Sequence, residues 1–110
     1  IMGLAIPPIH NMIAVAGGSD IRCAPYATFG REELSATAIA ALQERKACLL
    51  AHHGVIATGT SLADALWLAV EVETLARQYH GALQLGQPPL LSEEEIRTVL
   101  SRMANYGYKD

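Results

Sequence analysis

Apolar residues recur at helical spacing in three stretches of this chain and as short continuous runs between them. From Arg31 to Glu44 the apolar positions Leu34, Ala38, Ala41 and Leu42 follow the i, i+4, i+7, i+8 stripe of an amphipathic helix, with Glu32 and Glu33 at its positive end. Thr28 and Gly30 flank its start. Ser61 with Asp64 resembles a helix cap and predicts a long helix running to about Leu85. Leu62, Ala65, Leu66, Ala69, Val70, Ala76 and Tyr79 are expected on its buried face, where Glu73 interrupts the stripe with its stem packed and its carboxylate in water. Gly86-Gln87-Pro88-Pro89 stops that helix. Ser92-Glu93-Glu94-Glu95 is a capping box opening a last helix through Met103, with Ile96, Val99, Leu100 and Met103 facing inward. Pro7-Pro8 forbids helix, and the apolar run Ile9 to Ala16 after it predicts a buried strand or a short helix. Gly17-Gly18-Ser19-Asp20 is a turn, Ile21-Arg22-Cys23 a short extended piece, and Ala24-Pro25-Tyr26 an irregular link. The tail Asn105 to Asp110 has no core pattern and is expected to be mobile unless docked.

The richest chemistry lies in Leu49-Leu50-Ala51-His52-His53-Gly54-Val55-Ile56-Ala57-Thr58-Gly59, a strand-turn-strand pattern that sets two adjacent imidazoles and a glycine between apolar runs. Neutral imidazole is the commonest protein ligand for divalent zinc, and a hydrogen bond to its second ring nitrogen fixes the tautomer. Side chains alternate faces along a regular strand, so one of the pair is the candidate ligand and the other packs beside it. A histidine in an apolar strand is also commonly a hydrogen-bonded structural residue. Catalytic zinc takes three protein ligands, and His10 and His80 stand at no ligand spacing to the pair.

The chain has 110 residues, 51% of them hydrophobic and 5% aromatic, enough for one small domain with a core of Ala, Leu, Ile and Val. A net charge of −3 and the lack of a basic stripe argue against a nucleic-acid partner. No apolar run approaches bilayer length, which argues against a membrane partner and predicts a cytoplasmic protein. Cys23 and Cys48 sit among apolar residues without CxxC spacing and are expected to be buried, reduced thiols. The opening Ile1-Met2-Gly3-Leu4 starts in mid-pattern, which suggests either a truncated chain or translation from Met2.

Ile9-His10-Asn11-Met12-Ile13-Ala14, Gly17-Gly18, Cys23-Ala24-Pro25-Tyr26-Ala27-Thr28-Phe29-Gly30 and Leu49-Leu50-Ala51-His52-His53-Gly54, in this order and spacing, resemble the C-terminal half of the class II aldolase/adducin family of sugar-phosphate enzymes. Ala65 to Ala69, Glu71-Val72-Glu73, Leu91 to Ile96 and Tyr106-Gly107 extend the likeness over residues 1–110, read as one domain whose N-terminal half is absent. The resemblance implies a three-layer α/β/α fold assembled as a homotetramer. It also implies zinc-dependent retro-aldol cleavage of a ketose phosphate such as L-fuculose phosphate into dihydroxyacetone phosphate and an aldehyde. The metal would act as a Lewis acid on the charge left when the carbon–carbon bond breaks.

Carried over residue by residue, the resemblance makes His53, the second histidine of the pair, a metal ligand alongside a His-x-His pair from the N-terminal half. Asn11 stands where family members carry a tyrosine that reaches in from the adjacent subunit as an acid. An amide can donate a hydrogen bond to a developing alkoxide but cannot ionise in place of a phenol. Tyr106 matches a tail tyrosine that closes over the site, and Phe29 an apolar contact near the aldehyde pocket. The proton-shuttling glutamate and the phosphate-cradling loops would also come from the other half. Alternatives within the fold are a pentulose phosphate 4-epimerase, which re-forms the bond on the opposite face, and a non-catalytic assembly module of the adducin kind.

Overall fold

In the computed structural model, residues 1–105 are described. The chain begins extended, with Ile6 bridged antiparallel to Ile21, and then forms a short 3₁₀ helix at Asn11–Ala16. Of the two alternatives left open for this apolar run, the chain takes the helical one. The His10 imidazole caps it, Nδ1 accepting from the Met12 N–H at 3.0 Å, and Gly17 ends it in the left-handed region at φ 99°. The turn after Gly17 is held by Arg45, whose guanidinium reaches the Asp20 carboxylate at 2.8 Å and lies where a side chain on Gly18 would stand.

Three strands follow: β1 (Cys23–Ala24), β2 (Ala47–Leu50) and β3 (Gly54–Ala57). β1 pairs parallel with β2, and β2 antiparallel with β3, in the order β1-β2-β3. A parallel pair needs a crossover, supplied here by α1 (Glu32–Ala41). Its expected stripe is the packed one, with Ala38 and Ala41 buried and Leu34 and Leu42 half-buried. The helix ends three residues before the expected Glu44, where Arg22 donates to the carbonyl of Gln43 at 2.7 Å and Glu44 turns left-handed at φ 56°.

Alternation along β2 separates the layers. Ala47 and Leu49 face a core built by the 3₁₀ helix, α2 (Leu62–Leu83) and α3 (Glu93–Asn105), with Ile13, Ile21, Leu68, Val72, Leu75 and Ile96 inside. Cys48 and Leu50 face the opposite side, against Ala24, Ala41 and Leu42 of the α1 layer. The sheet lies between two helical layers, which is the expected three-layer α/β/α arrangement. Each fully buried aliphatic side chain contributes about 1.5–3 kcal/mol relative to exposure, so the α2 side carries most of the apolar stabilisation.

The starts of α2 and α3 follow the sequence reading, while α2 stops at Leu83 rather than about Leu85 and α3 runs past Met103 to Asn105. The Ser61 hydroxyl accepts from the Asp64 N–H at 3.1 Å. Ser92 and Glu95 form the reciprocal pair of a capping box at 2.9 and 3.1 Å. Ile96 is buried, and Val99, Leu100 and Met103 are half-buried against the same core.

The face of α2 is different from the expected one. Leu62, Leu66 and Val70 are exposed at 90%, 66% and 56%, whereas Leu68, Val72 and Leu75 are the residues inside. Ala76 and Tyr79 do pack on the core, so the buried stripe is Leu68-Val72-Leu75-Ala76-Tyr79, rotated from the one inferred. Glu73 lies outside it, exposed and paired with Arg77 at 3.6 Å one helical turn on. Among the described residues no helix is long and apolar enough to cross a membrane.

Candidate functional site

The histidine pair occupies the turn of the β2–β3 hairpin, between Leu50 and its partner Gly54. Strand alternation therefore does not apply to it, because neither histidine belongs to the regular strand. The backbone separates the two rings instead. His52 is left-handed at φ 62°, a conformation that costs a non-glycine residue roughly 1–2 kcal/mol. Gly54 re-enters the ladder at φ 154°, which suits a residue without a side chain. The His53 N–H closes the turn onto the Leu50 carbonyl at 3.0 Å.

The segment after β1 lies alongside this turn. Ala51 donates its N–H to the Ala24 carbonyl at 3.1 Å, extending the β1–β2 edge into the turn. His53 Nε2 is 2.7 Å from the Ala27 carbonyl oxygen. A carbonyl only accepts, so Nε2 is the donor in this bond. Tyr26, between them in sequence, stacks on His53 with ring centroids 5.5 Å apart and planes 7° from parallel. It meets His52 edge to face, with centroids 5.8 Å apart at 82°. Both imidazoles and Tyr26 are exposed, so the cluster forms an open rim of the sheet.

The other expected site residues are placed differently. Phe29 is 77% exposed, two residues beyond the carbonyl that holds His53. Asn11 opens the 3₁₀ helix, exposed, and no hydrogen bond or ring contact among the described residues joins it to His53. Tyr106 lies outside the described residues. Among those residues no three His, Cys, Asp or Glu side chains converge as a metal site, so a metal at His53 needs ligands from elsewhere. Two open depressions, along α3 at Glu94, Arg97 and Ser101 and along α2 at Val70, Glu73 and Arg77, do not include the hairpin.

Both cysteines are free thiols. Cys48 is fully buried, and burial, helped by neighbouring Cys23, pushes its thiol above the ordinary value. Cys23 is only half-buried, less than the sequence suggested.

Tyr26 and the Ala27 carbonyl are the two groups at the hairpin that residue chemistry did not single out. The available signal was Tyr26 itself, an aromatic beside a proline in a chain with few aromatics.

Residues 1–80 match the family model described as class II aldolase and adducin N-terminal domain. A 5-methylthioribulose-1-phosphate/5-deoxyribulose-1-phosphate aldolase from Rhodospirillum rubrum is 55% identical over 106 residues, covering 96% of this chain and 48% of that protein. An L-fuculose phosphate aldolase from Escherichia coli is 54% identical over 110 residues, covering 99% of this chain and 51% of its own length. A solved L-fuculose 1-phosphate aldolase superposes with a TM-score of 0.89 at 39% identity, covering 94% of this chain and 48% of that one. The chain thus spans about half the length of the curated relatives it matches. It belongs to the class II aldolase and adducin family.

Proposed function

We propose that this chain is the C-terminal half of a metal-dependent aldolase that cleaves a ketose 1-phosphate, and that His53 is its contribution to the metal centre. The observation that carries the reading is the bond from His53 to the Ala27 carbonyl. It orients the ring through one nitrogen, on a turn that backbone bonds tie to the sheet, and a metal-ligating histidine is oriented by such a bond. The donor chemistry fits zinc, and the remaining ligands, a His-x-His pair, would come from the N-terminal half. Zinc, when bound, supplies Lewis-acid polarisation of the substrate oxygens.

The other residues take supporting parts in this reading. Asn11 reaches a neighbouring subunit's site in a tetramer, which accords with its exposure and with the absence of any contact to His53 among the described residues. Its amide holds an oxygen by a hydrogen bond but delivers no proton, so water or Tyr106 takes that task. Phe29 offers an exposed apolar ring on the segment that anchors His53 and would line the aldehyde side of the site.

The relatives' names give three substrate types: 5-methylthioribulose 1-phosphate, 5-deoxyribulose 1-phosphate and L-fuculose phosphate. Retro-aldol cleavage of each leaves dihydroxyacetone phosphate, and only the aldehyde differs: apolar-tailed for the first two, hydroxylated for the third. The test is release of dihydroxyacetone phosphate from these ketose phosphates by the full-length form, followed with a coupled reductase. The expected result is release that a chelator abolishes and zinc restores. No release from any of the three by zinc-loaded protein would contradict the assignment.

A further inference from the structure

We propose that the outer row of α2, formed by Leu62, Leu66 and Val70, is the docking face for the protein's N-terminal half, covered within the same subunit by an apolar segment that precedes Ile1. This rests on the reading of the chain as the C-terminal half of a longer protein. The three side chains are spaced four residues apart, so they stand above one another on one stripe of the helix, at 90%, 66% and 56% exposure. Ala65 and Ala69, half-buried, border the same stripe. Apolar side chains scattered singly over a surface are ordinary, but an aliphatic row of this kind marks a face that another element covers.

The size of the row and its place in the fold select the occupant. The chain covers 48% and 51% of its two relatives, so a comparable length of polypeptide stands outside it in proteins of that size. It exposes 7300 Å², where a monomer of 11.8 kDa exposes about 5,900 Å². α2 packs against β3, the last strand in the sheet order, whose outer edge carries no strand among the described residues and whose Val55 is 44% exposed. The helix that carries the row and the strand it covers are therefore both left open, where a fold of twice this length has room to continue. Three aliphatic side chains offer a few hundred Å², well short of the roughly 800 Å² that each partner brings to a standard interface, so a separate copy would be held weakly by this row. A covalently attached segment acts at a high effective concentration and is held by a contact of this size.

The test compares Leu66→Cys with Gln78→Cys, which is exposed on another face of the same helix. Each is labelled with a small maleimide, and digestion with mass spectrometry separates the new thiol from Cys23 and Cys48. In the 110-residue chain the two positions should react at similar rates. In the full-length form Leu66→Cys is expected to react about 10-fold or more slowly than Gln78→Cys. Cross-linking from Leu66→p-benzoylphenylalanine in the full-length form then identifies the cover. An adduct with residues preceding Ile1 that keeps the monomer mass on a denaturing gel is the expected result. An adduct at twice the monomer mass, which means a second copy, or one formed only within residues 1–110 would overturn the proposal. Equal labelling of the two thiols, in a full-length protein that releases dihydroxyacetone phosphate, would also overturn it and leave the aldolase reading standing. Protection with the expected adduct, in a full-length protein that releases none, would sustain the docking and sink the aldolase reading.

Discussion

Truncating Leu75 to alanine separates the two faces of α2. Leu75 is 1% exposed, within the cluster formed by Leu68, Val72, Ile13 and Ile96. Leu→Ala removes three carbons, worth about 2.4 kcal/mol of transfer at about 0.8 kcal/mol each. Incomplete collapse around the gap adds a cavity penalty, and measured core truncations of this kind span about 2–5 kcal/mol. We take about 3 kcal/mol as the expected loss. Leu66, on the face that periodicity alone would bury, is 66% exposed. Only about a third of its transfer term is at stake, roughly 0.8 kcal/mol, with no cavity and a small gain from the better helix propensity of alanine. Urea unfolding of the 110-residue chain, followed by far-ultraviolet circular dichroism, measures both. Leu75→Ala should lower the midpoint strongly at unchanged slope, and Leu66→Ala should stay within about 1 kcal/mol of the parent. Equal losses, or a larger loss for Leu66→Ala, would refute the assignment of the buried face.

Three further outcomes follow, two from the α3 cap and one from the proposed function. The Glu95 carboxyl is held below the usual glutamate range, first by the Ser92 backbone N–H and then by the Ser92 hydroxyl, so the stability from this cap is present above that range and is lost as pH falls through the lowered value. Ser92→Ala should cost about 1 kcal/mol at neutral pH, and Glu95→Gln should flatten the acid limb of a stability profile; a profile unchanged in Glu95→Gln would contradict the cap's role. In the full-length form, Asn11→Tyr should raise retro-aldol turnover on hydroxy-aldehyde-yielding ketose phosphates by about 10²-fold or more, since a phenol can deliver the proton an amide cannot; equal rates on every substrate would place position 11 outside the reacting centre.

What was legible in the sequence was local. The capping pairs Ser61–Asp64 and Ser92–Glu95 span three residues each, and the hairpin is announced by apolar runs on both sides of His52-His53-Gly54. These signals are complete within a turn or two of chain. The buried face of α2 is not such a signal, because Leu62, Leu66 and Val70 on one side and Leu68, Val72 and Leu75 on the other are equally apolar. Only the position of the sheet and the 3₁₀ helix decides between them, and this is tertiary information. The same reason hid the partners of His53. The imidazole could be singled out from its neighbours, but the carbonyl that takes its proton and the ring that stacks on it come from a segment 26 residues away. Family resemblance selected the second histidine, and in the structure it is His53, not His52, that bonds the Ala27 carbonyl.

The most direct measurement is the zinc content of His52→Ala and His53→Ala in the full-length form, after equilibration with buffered zinc and removal of the excess. Imidazole ligation by His53 predicts that His53→Ala loses its stoichiometric zinc while His52→Ala, which loses only an edge contact with Tyr26, keeps it. Zinc retained in His53→Ala and lost in His52→Ala would contradict the account.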